Sequence, residues 1–170
     1  MEGVTLEIFN LVLDKAQAAE HVIDRVPSLV VSGAGGSRIR YVGAPLGAEL
    51  TTVAEAVRMS ANGETRLSEK SREKLKGLTG PIAIKVFYTP TCVYCPRMVS
   101  LANQIAVVSP LVTATAIEAT EFPDLVEQYN VNGVPKTVLN EEIEVLGAVS
   151  EEDFVDGLLE LASLGRSPEP

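Results

Sequence analysis

The chain has 170 residues, long enough to bury a core in one domain or in two small ones, and its 46% apolar and 22% charged side chains are ordinary for a soluble globular protein. The net charge of −9 is one-sided: residues 1–80 carry ten basic and ten acidic side chains, whereas residues 81–170 carry four and thirteen. That surface argues against nucleic acid or an anionic membrane face as a partner, because both demand a positive patch, and no apolar run reaches the ~18–20 residues of a membrane span.

In chain order, the opening "MEGVTLEIFN" holds Glu2 and no basic region, so no secretory leader is expected and the cytoplasm is the expected compartment. "TLEIFN" (residues 5–10) is expected to be a strand, because it matches "TATAIE" (113–118) at an offset of 108 residues. At the same offset "AEHVIDRVP" (19–27) matches "EQYNVNGVP", which places a short helix ending near His21, read as a surface or capping residue. A hairpin over 28–43 follows, interrupted by "GAGG" (33–36). This glycine run is not a phosphate loop, since such a loop joins a strand to a helix N-terminus. "IRYVGAPLGAELTTVAEAV" then parallels "EIEVLGAVSEEDFVDGLLEL", so a helix closes the first half. "SEKSREKLKGL" reads as a charged surface helix capped at Ser68 and stopped by Gly77.

In the second half "PIAIKVFY" (81–88) is apolar except for Lys85, the pattern of a strand covered on both faces. "VYCPRMVSLANQIAVV" is helical from just after Cys92, and "LVTATAIE" is a second strand. "FPDLVEQYN" is a short helix with Pro123 in its first turn. "VPKTVLNEEIEVLG" is a hairpin turning on residues 140–142, and a last helix is opened by Ser150 and Asp153 and stopped by Gly165. The complete unit runs strand, helix, strand, helix, hairpin, helix. The first half lacks the opening strand and the cysteine-bearing helix. Domains are therefore expected at 1–62, a degenerate unit without cysteines, and at 63–166, a complete one. Three resolutions are open for the missing strand: the flanking segments pair directly, another chain supplies it, or sequence lies upstream.

The only two cysteines, Cys92 and Cys95, stand in "FYTPTCVYCPRM" where a buried strand hands over to a helix. The positive end of a helix stabilises a thiolate there, drawing its pKa down to roughly 3.5–7.5. Two intervening residues return the second thiol by one turn to bonding range. Cys92 is then the attacking thiolate and Cys95 the resolving thiol. Two other readings stand beside this one: a metal or iron–sulfur site shared across a dimer, for which one C-x-x-C supplies two of four ligands, and a pair of inert core thiols. The strand–C-x-x-C–helix context favours redox chemistry.

With "GVP" (133–135) about forty residues downstream, residues 81–164 resemble a thioredoxin-fold unit of the glutaredoxin-like kind. The whole chain is similar to the double-thioredoxin-fold protein disulfide oxidoreductases, and to the N-terminal domain of the flavoprotein component of alkyl hydroperoxide reductase. The resemblance is carried by "VFYTPTCVYCP" and "YNVNGVPKTV" and more weakly by "VIDRVPSLVV". It implies an α/β thioredoxin fold with a truncated first unit, a cis Val134–Pro135 bond facing the cysteines, and a second cis bond at Pro27. It further implies that Val134, Pro135 and Tyr94 meet an extended substrate segment. Glu118 falls where thioredoxin-like proteins keep a buried carboxylate that accepts the resolving cysteine's proton, with Lys85 in position to pair with it; a solvent-facing strand-end glutamate is the other reading. Arg97 reads as an exposed helix arginine.

The expected activity is thiol–disulfide exchange with protein disulfides, without metal or other cofactor, recharged by a separate thiol or flavoprotein reductant. The alternative is a dedicated carrier delivering electrons to a peroxidase. A docking or homodimerisation role suits the cysteine-free first unit.

Overall fold

A computed structural model describes residues 3–33 and 38–163. Among these residues six helices and six strands follow in the order α1 (Lys15–Glu20), β1 (Ser28–Ser32), β2 (Arg38–Val42), α2 (Glu49–Asn62), α3 (Glu69–Leu75), β3 (Ile82–Tyr88), α4 (Cys95–Val108), β4 (Val112–Glu118), α5 (Pro123–Gln128), β5 (Lys136–Leu139), β6 (Ile143–Leu146) and α6 (Glu151–Ser163). All six strands form one sheet in the order β1-β2-β4-β3-β5-β6. β3, at residues 82–88, is central as expected, parallel to β4 and antiparallel to β5.

The first unit departs from expectation. Residues 5–10 form no strand, although their pattern copies that of β4. β4 is held on both sides, by β3 and by β2, whereas residues 5–10 have no ladder partner among the described residues. Apolar composition specifies a strand only where backbone partners exist. The first-unit hairpin does not pair with residues 5–10 either; β2 adds in parallel to the free edge of β4, with Arg38 opposite Thr113 and Val42 opposite Ile117. The outer edge of β1 has no strand beside it among the described residues. Residues 34–37, which include all of "GAGG" but Gly33, and Gly165 lie outside the described residues; the hairpin strands end at Ser32 and resume at Arg38.

Strand alternation sorts side chains onto two faces. Ile82, Ile84, Val86 and Tyr88 of β3, with Val112, Ala114 and Ala116 of β4 and Ile39 and Tyr41 of β2, face the main core under α2, α4 and α6. The small Ala114 and Ala116 let α4 lie close to the sheet. α4 turns Met98, Val99, Ala102, Ile105 and Ala106 inward at helical spacing, so one stripe is fully buried. It stops at Ser109, whose extended backbone is what a residue before Pro110 favours. The opposite face carries Phe87, Ile117, Val42 and Val138 under α5. The turn between β5 and β6 places Asn140 and Glu141 in the left-handed region, as a tight hairpin requires, and Asn140 Oδ1 accepts from Ala83 N at 2.7 Å. Ser68 caps α3 and Ser150 caps α6 by accepting from Ser71 N and Asp153 N, both at 3.1 Å. Among the described residues no helix is long and apolar enough to cross a membrane.

Candidate active site

β3 ends at Tyr88, a short connection carries the chain over the edge of the core, and α4 begins at Cys95. Pro96 occupies the first turn, where its missing N–H has no partner to lose. Cys92 and Cys95 are joined, with Sγ–Sγ 2.06 Å and Cα–Cα 5.5 Å. Cys95 is wholly buried, whereas Cys92 is packed only in part against the margin of the core. The backbone N–H of Cys95 donates to Cys92 Sγ at 3.1 Å. That N–H is one of the free donors at a helix start, and it aims positive charge at the outer sulfur. The two residues between the cysteines are exposed, Val93 by 84% and Tyr94 by 67%. Arg97 lies on α4 away from the core, as expected.

Val134–Pro135 is cis, and so is Val26–Pro27. Val134 packs against the same core cluster as Cys92. Gly133, Val134 and Pro135 line an open depression of about 480 Å³.

Glu118 is buried, on the sheet face that α4 covers, so it is not a solvent-facing strand end. Its carboxylate accepts from Thr120 Oγ1 at 2.8 Å, from Thr120 N at 3.2 Å and from Glu121 N at 2.7 Å. Lys85 does not pair with it. Lys85 stands opposite Thr115 and Glu118 opposite Tyr88, an odd number of residues apart, so alternation sends the two side chains to opposite faces. Lys85 instead bonds Glu141 and the Tyr129 hydroxyl. Burial opposes its charge, but those two bonds outweigh burial and raise its pKa.

A second buried carboxylate, Glu49, escapes a reading of the sequence. Residues 43–49 are held against the redox corner: Ala44 N donates to Glu121 Oε1 at 2.7 Å, and the Tyr88 hydroxyl donates to Ala44 O at 3.4 Å. Gly47, at φ +63°, approaches so closely that a Cβ there would lie 2.7 Å from the carbonyl oxygen of Pro90. This delivers Glu49, the first residue of α2, into the main core at 1% exposure. Its Oε2 accepts from Thr52 Oγ1 at 2.9 Å, and its Oε1 is buried with no partner among the described residues. Burial pushes the Glu49 carboxyl up to about 7, partly offset by the Thr52 hydrogen bond. Burial and then the charges of Glu49 and Glu118 raise the pKa of Tyr88, the last residue of β3. A signal for Glu49 is present in the chain: it lies three and seven residues before Thr52 and Ala56, on the buried stripe of α2.

A dithiol where a strand hands over to a helix and a proline corner opening a hairpin define a thioredoxin-fold redox module. Comparison with known proteins agrees. The thioredoxin domain family model matches residues 82–160. A protein disulfide oxidoreductase from Aeropyrum pernix is 32% identical and superposes with a TM-score of 0.79 over 91% of this chain and 67% of its own. The alkyl hydroperoxide reductase AhpF of Enterococcus faecalis is 26% identical, with a TM-score of 0.77 over 86% of this chain and 71% of its own. Its counterpart in Pseudomonas aeruginosa is 28% identical over 132 residues, 77% of this chain and 25% of the relative. A protein named NADH dehydrogenase from Ferdinandcohnia aciditolerans is 27% identical over 99% of this chain and 33% of the relative. The chain thus spans a quarter to a third of the length of these curated relatives. It belongs to the thioredoxin-fold family.

Proposed function

We propose that the chain exchanges its Cys92–Cys95 pair with protein disulfides. The observation that carries this reading is the outer Cys92 sulfur, hydrogen-bonded by the N–H that opens α4 and bonded to a fully buried Cys95. The Cys92 thiolate attacks a substrate disulfide; a Cys92–substrate bond forms as the first substrate thiolate leaves. Cys95 then gives up its proton and attacks the Cys92 sulfur, closing the disulfide and expelling the second thiolate. Two electrons have passed from the pair to the substrate, and a separate thiol or flavoprotein reductant returns them.

Of the two buried carboxylates we assign the proton of Cys95 to Glu49. A general base works best with a pKa near the working pH, and Glu49 combines such a value with an unoccupied oxygen. Both oxygens of Glu118 already accept hydrogen bonds. Tyr94 with Val93 supplies an apolar landing surface for the substrate, and Val134 and Pro135 the wall opposite. Residues 1–62 act as the cysteine-free partial unit; the open edge of β1 and the exposed Leu6, Ile8, Val12 and Leu13 suit self-association there. A pair that must be re-reduced suits the cytoplasm.

Similarity to alkyl hydroperoxide reductase AhpF over most of the chain favours a second reading, a carrier that feeds one peroxidase. Reduced protein mixed with insulin and, separately, with an oxidised peroxidase decides between them. Insulin reduction is the expected result; reduction of the peroxidase alone would move the assignment to the carrier. Cys92→Ser should abolish both reactions, and Cys95→Ser should accumulate mixed disulfides. Exchange that survives Cys92→Ser would sink either reading.

A further inference from the structure

A chain of buried hydrogen bonds leads to Glu49 from the cysteine-bearing helix. Asn103 Nδ2, on α4, donates to the Tyr41 hydroxyl at 2.8 Å. Tyr41, on β2, meets Thr52 Oγ1 at 3.0 Å, and Thr52, on α2, reaches Glu49 Oε2 at 2.9 Å. Asn103, Tyr41 and Thr52 are each at most 3% exposed, so water does not compete for these bonds.

We propose that Thr52, Tyr41 and Asn103 are positioning residues for Glu49, forming a one-way chain that readies its carboxylate to take the proton of Cys95. This rests on the assignment of that proton to Glu49. The direction follows from donor and acceptor chemistry. The Asn103 amide nitrogen only donates, so the Tyr41 oxygen accepts there and its proton points to Thr52. With its oxygen thus engaged, Thr52 directs its own proton onward. An ionised carboxylate is a stronger acceptor than the Glu49 backbone carbonyl, so it draws the Thr52 proton to Oε2 and leaves Oε1, which has no partner among the described residues, as the basic position.

When Glu49 is protonated, Thr52 has an alternative acceptor at 2.8 Å in the Glu49 backbone carbonyl. The chain is therefore complete for the anion and slack for the acid, which stabilises the form able to receive a proton. Burial works the other way, and only Thr52 opposes it at Glu49. The titratable groups nearby are Tyr41 on β2, Tyr88 on β3, Glu118 and Glu121 beyond Tyr88, and Glu55 on α2 itself. None of them brings a positive charge, so none replaces the hydrogen bond. An incidental network that merely satisfies buried polar atoms would affect stability and nothing else.

The two thiols can be read separately with Ellman's disulfide. The reduced protein releases one coloured thiolate as Cys92 attacks and a second as Cys95 resolves the mixed disulfide. The rate of the second release, plotted against pH, has an acid limb set by Glu49. Thr52→Val should move the midpoint of that limb upward by about one pH unit, as expected for one lost hydrogen bond to a charged group. Tyr41→Phe should move it the same way by less, and Thr52→Ser should restore it. A midpoint that stays at the wild-type value in a cooperatively melting Thr52→Val protein, confirmed by Tyr41→Phe, overturns the chain. Glu49→Gln separates the two claims. If it slows the second release while Thr52→Val shifts nothing, only the positioning chain fails. If it leaves the second release untouched, the assignment of the proton to Glu49 fails, and the chain with it.

Discussion

The two proline corners of this molecule are built alike and end differently. Each follows a short helix, α1 or α5, and opens a hairpin; in each a glycine N–H closes on the proline carbonyl, Gly43 on Pro27 at 2.9 Å and Gly147 on Pro135 at 2.8 Å. Around these glycines the equivalence of sequence hides an inversion of environment. Tyr41 and Val145 occupy the same place in the repeat, yet Tyr41 is fully buried and Val145 only partly so. Glu49 and Asp153 likewise correspond; Glu49 is sealed in the core, and Asp153 is exposed in the first turn of α6. For Tyr41 the cause is sheet order. β2 lies between β1 and β4, whereas β6 is an edge strand. A repeat position therefore takes its chemistry from what the rest of the fold places over it, not from its place in the repeat.

The largest test of this contrast is packing. Tyr41→Ala should cost about 3–5 kcal/mol of unfolding free energy in denaturant melts, from cavity formation and two stranded partners, while Val145→Ala should cost under about 1 kcal/mol. Equal losses would show that the two hairpins are equivalent after all.

Next in size is a pH effect. Glu49 titrates ordinarily at 4.5 when unfolded and about 7 when folded, so between those values the folded chain holds a proton that the unfolded chain has released. Stability should accordingly be highest below about pH 4.5 as far as this group is concerned, fall as pH rises towards 7, and level off above it, by on the order of 2–3 kcal/mol. Glu49→Gln should remove that slope in melts between about pH 5 and 8, and Asp153→Asn should leave it in place. A slope that persists in Glu49→Gln would assign the effect to another group.

The smallest effect concerns the Arg25–Asp124 ion pair, 2.8 Å, which ties the first corner to α5 at the surface. Asp124→Ala should give a melting curve indistinguishable from the wild type, because exposed pairs contribute little. A clear loss would mean that the units are joined by that pair rather than by the β2–β4 ladder.

The cysteine site is legible in the chain because everything that makes it lies within a short stretch: an apolar strand, two thiols at one helical turn, and an early proline. The second proline corner is legible from its repeat. The rest depends on contacts distant in sequence. Residues 5–10 carry the pattern of a strand, but no ladder among the described residues receives them. Lys85 and Glu118 look like partners from their sequence neighbourhood, although the parity of their register puts a sheet between them. Glu49 sits where an acidic first-turn residue ordinarily faces solvent, as Asp153 does, and its burial goes with the close approach of Gly47 to Pro90, distant in sequence.

The parallel ladder from residues 38–42 to residues 113–117 has a practical consequence for anyone who would miniaturise this protein. Cutting the chain near Gly63 would not release a compact thioredoxin; it would strip the β2 pairing from β4 and bare an alanine-rich strand to the next molecule in solution. What looks like a dispensable prefix is the selvedge that keeps the fabric from unravelling into its neighbours.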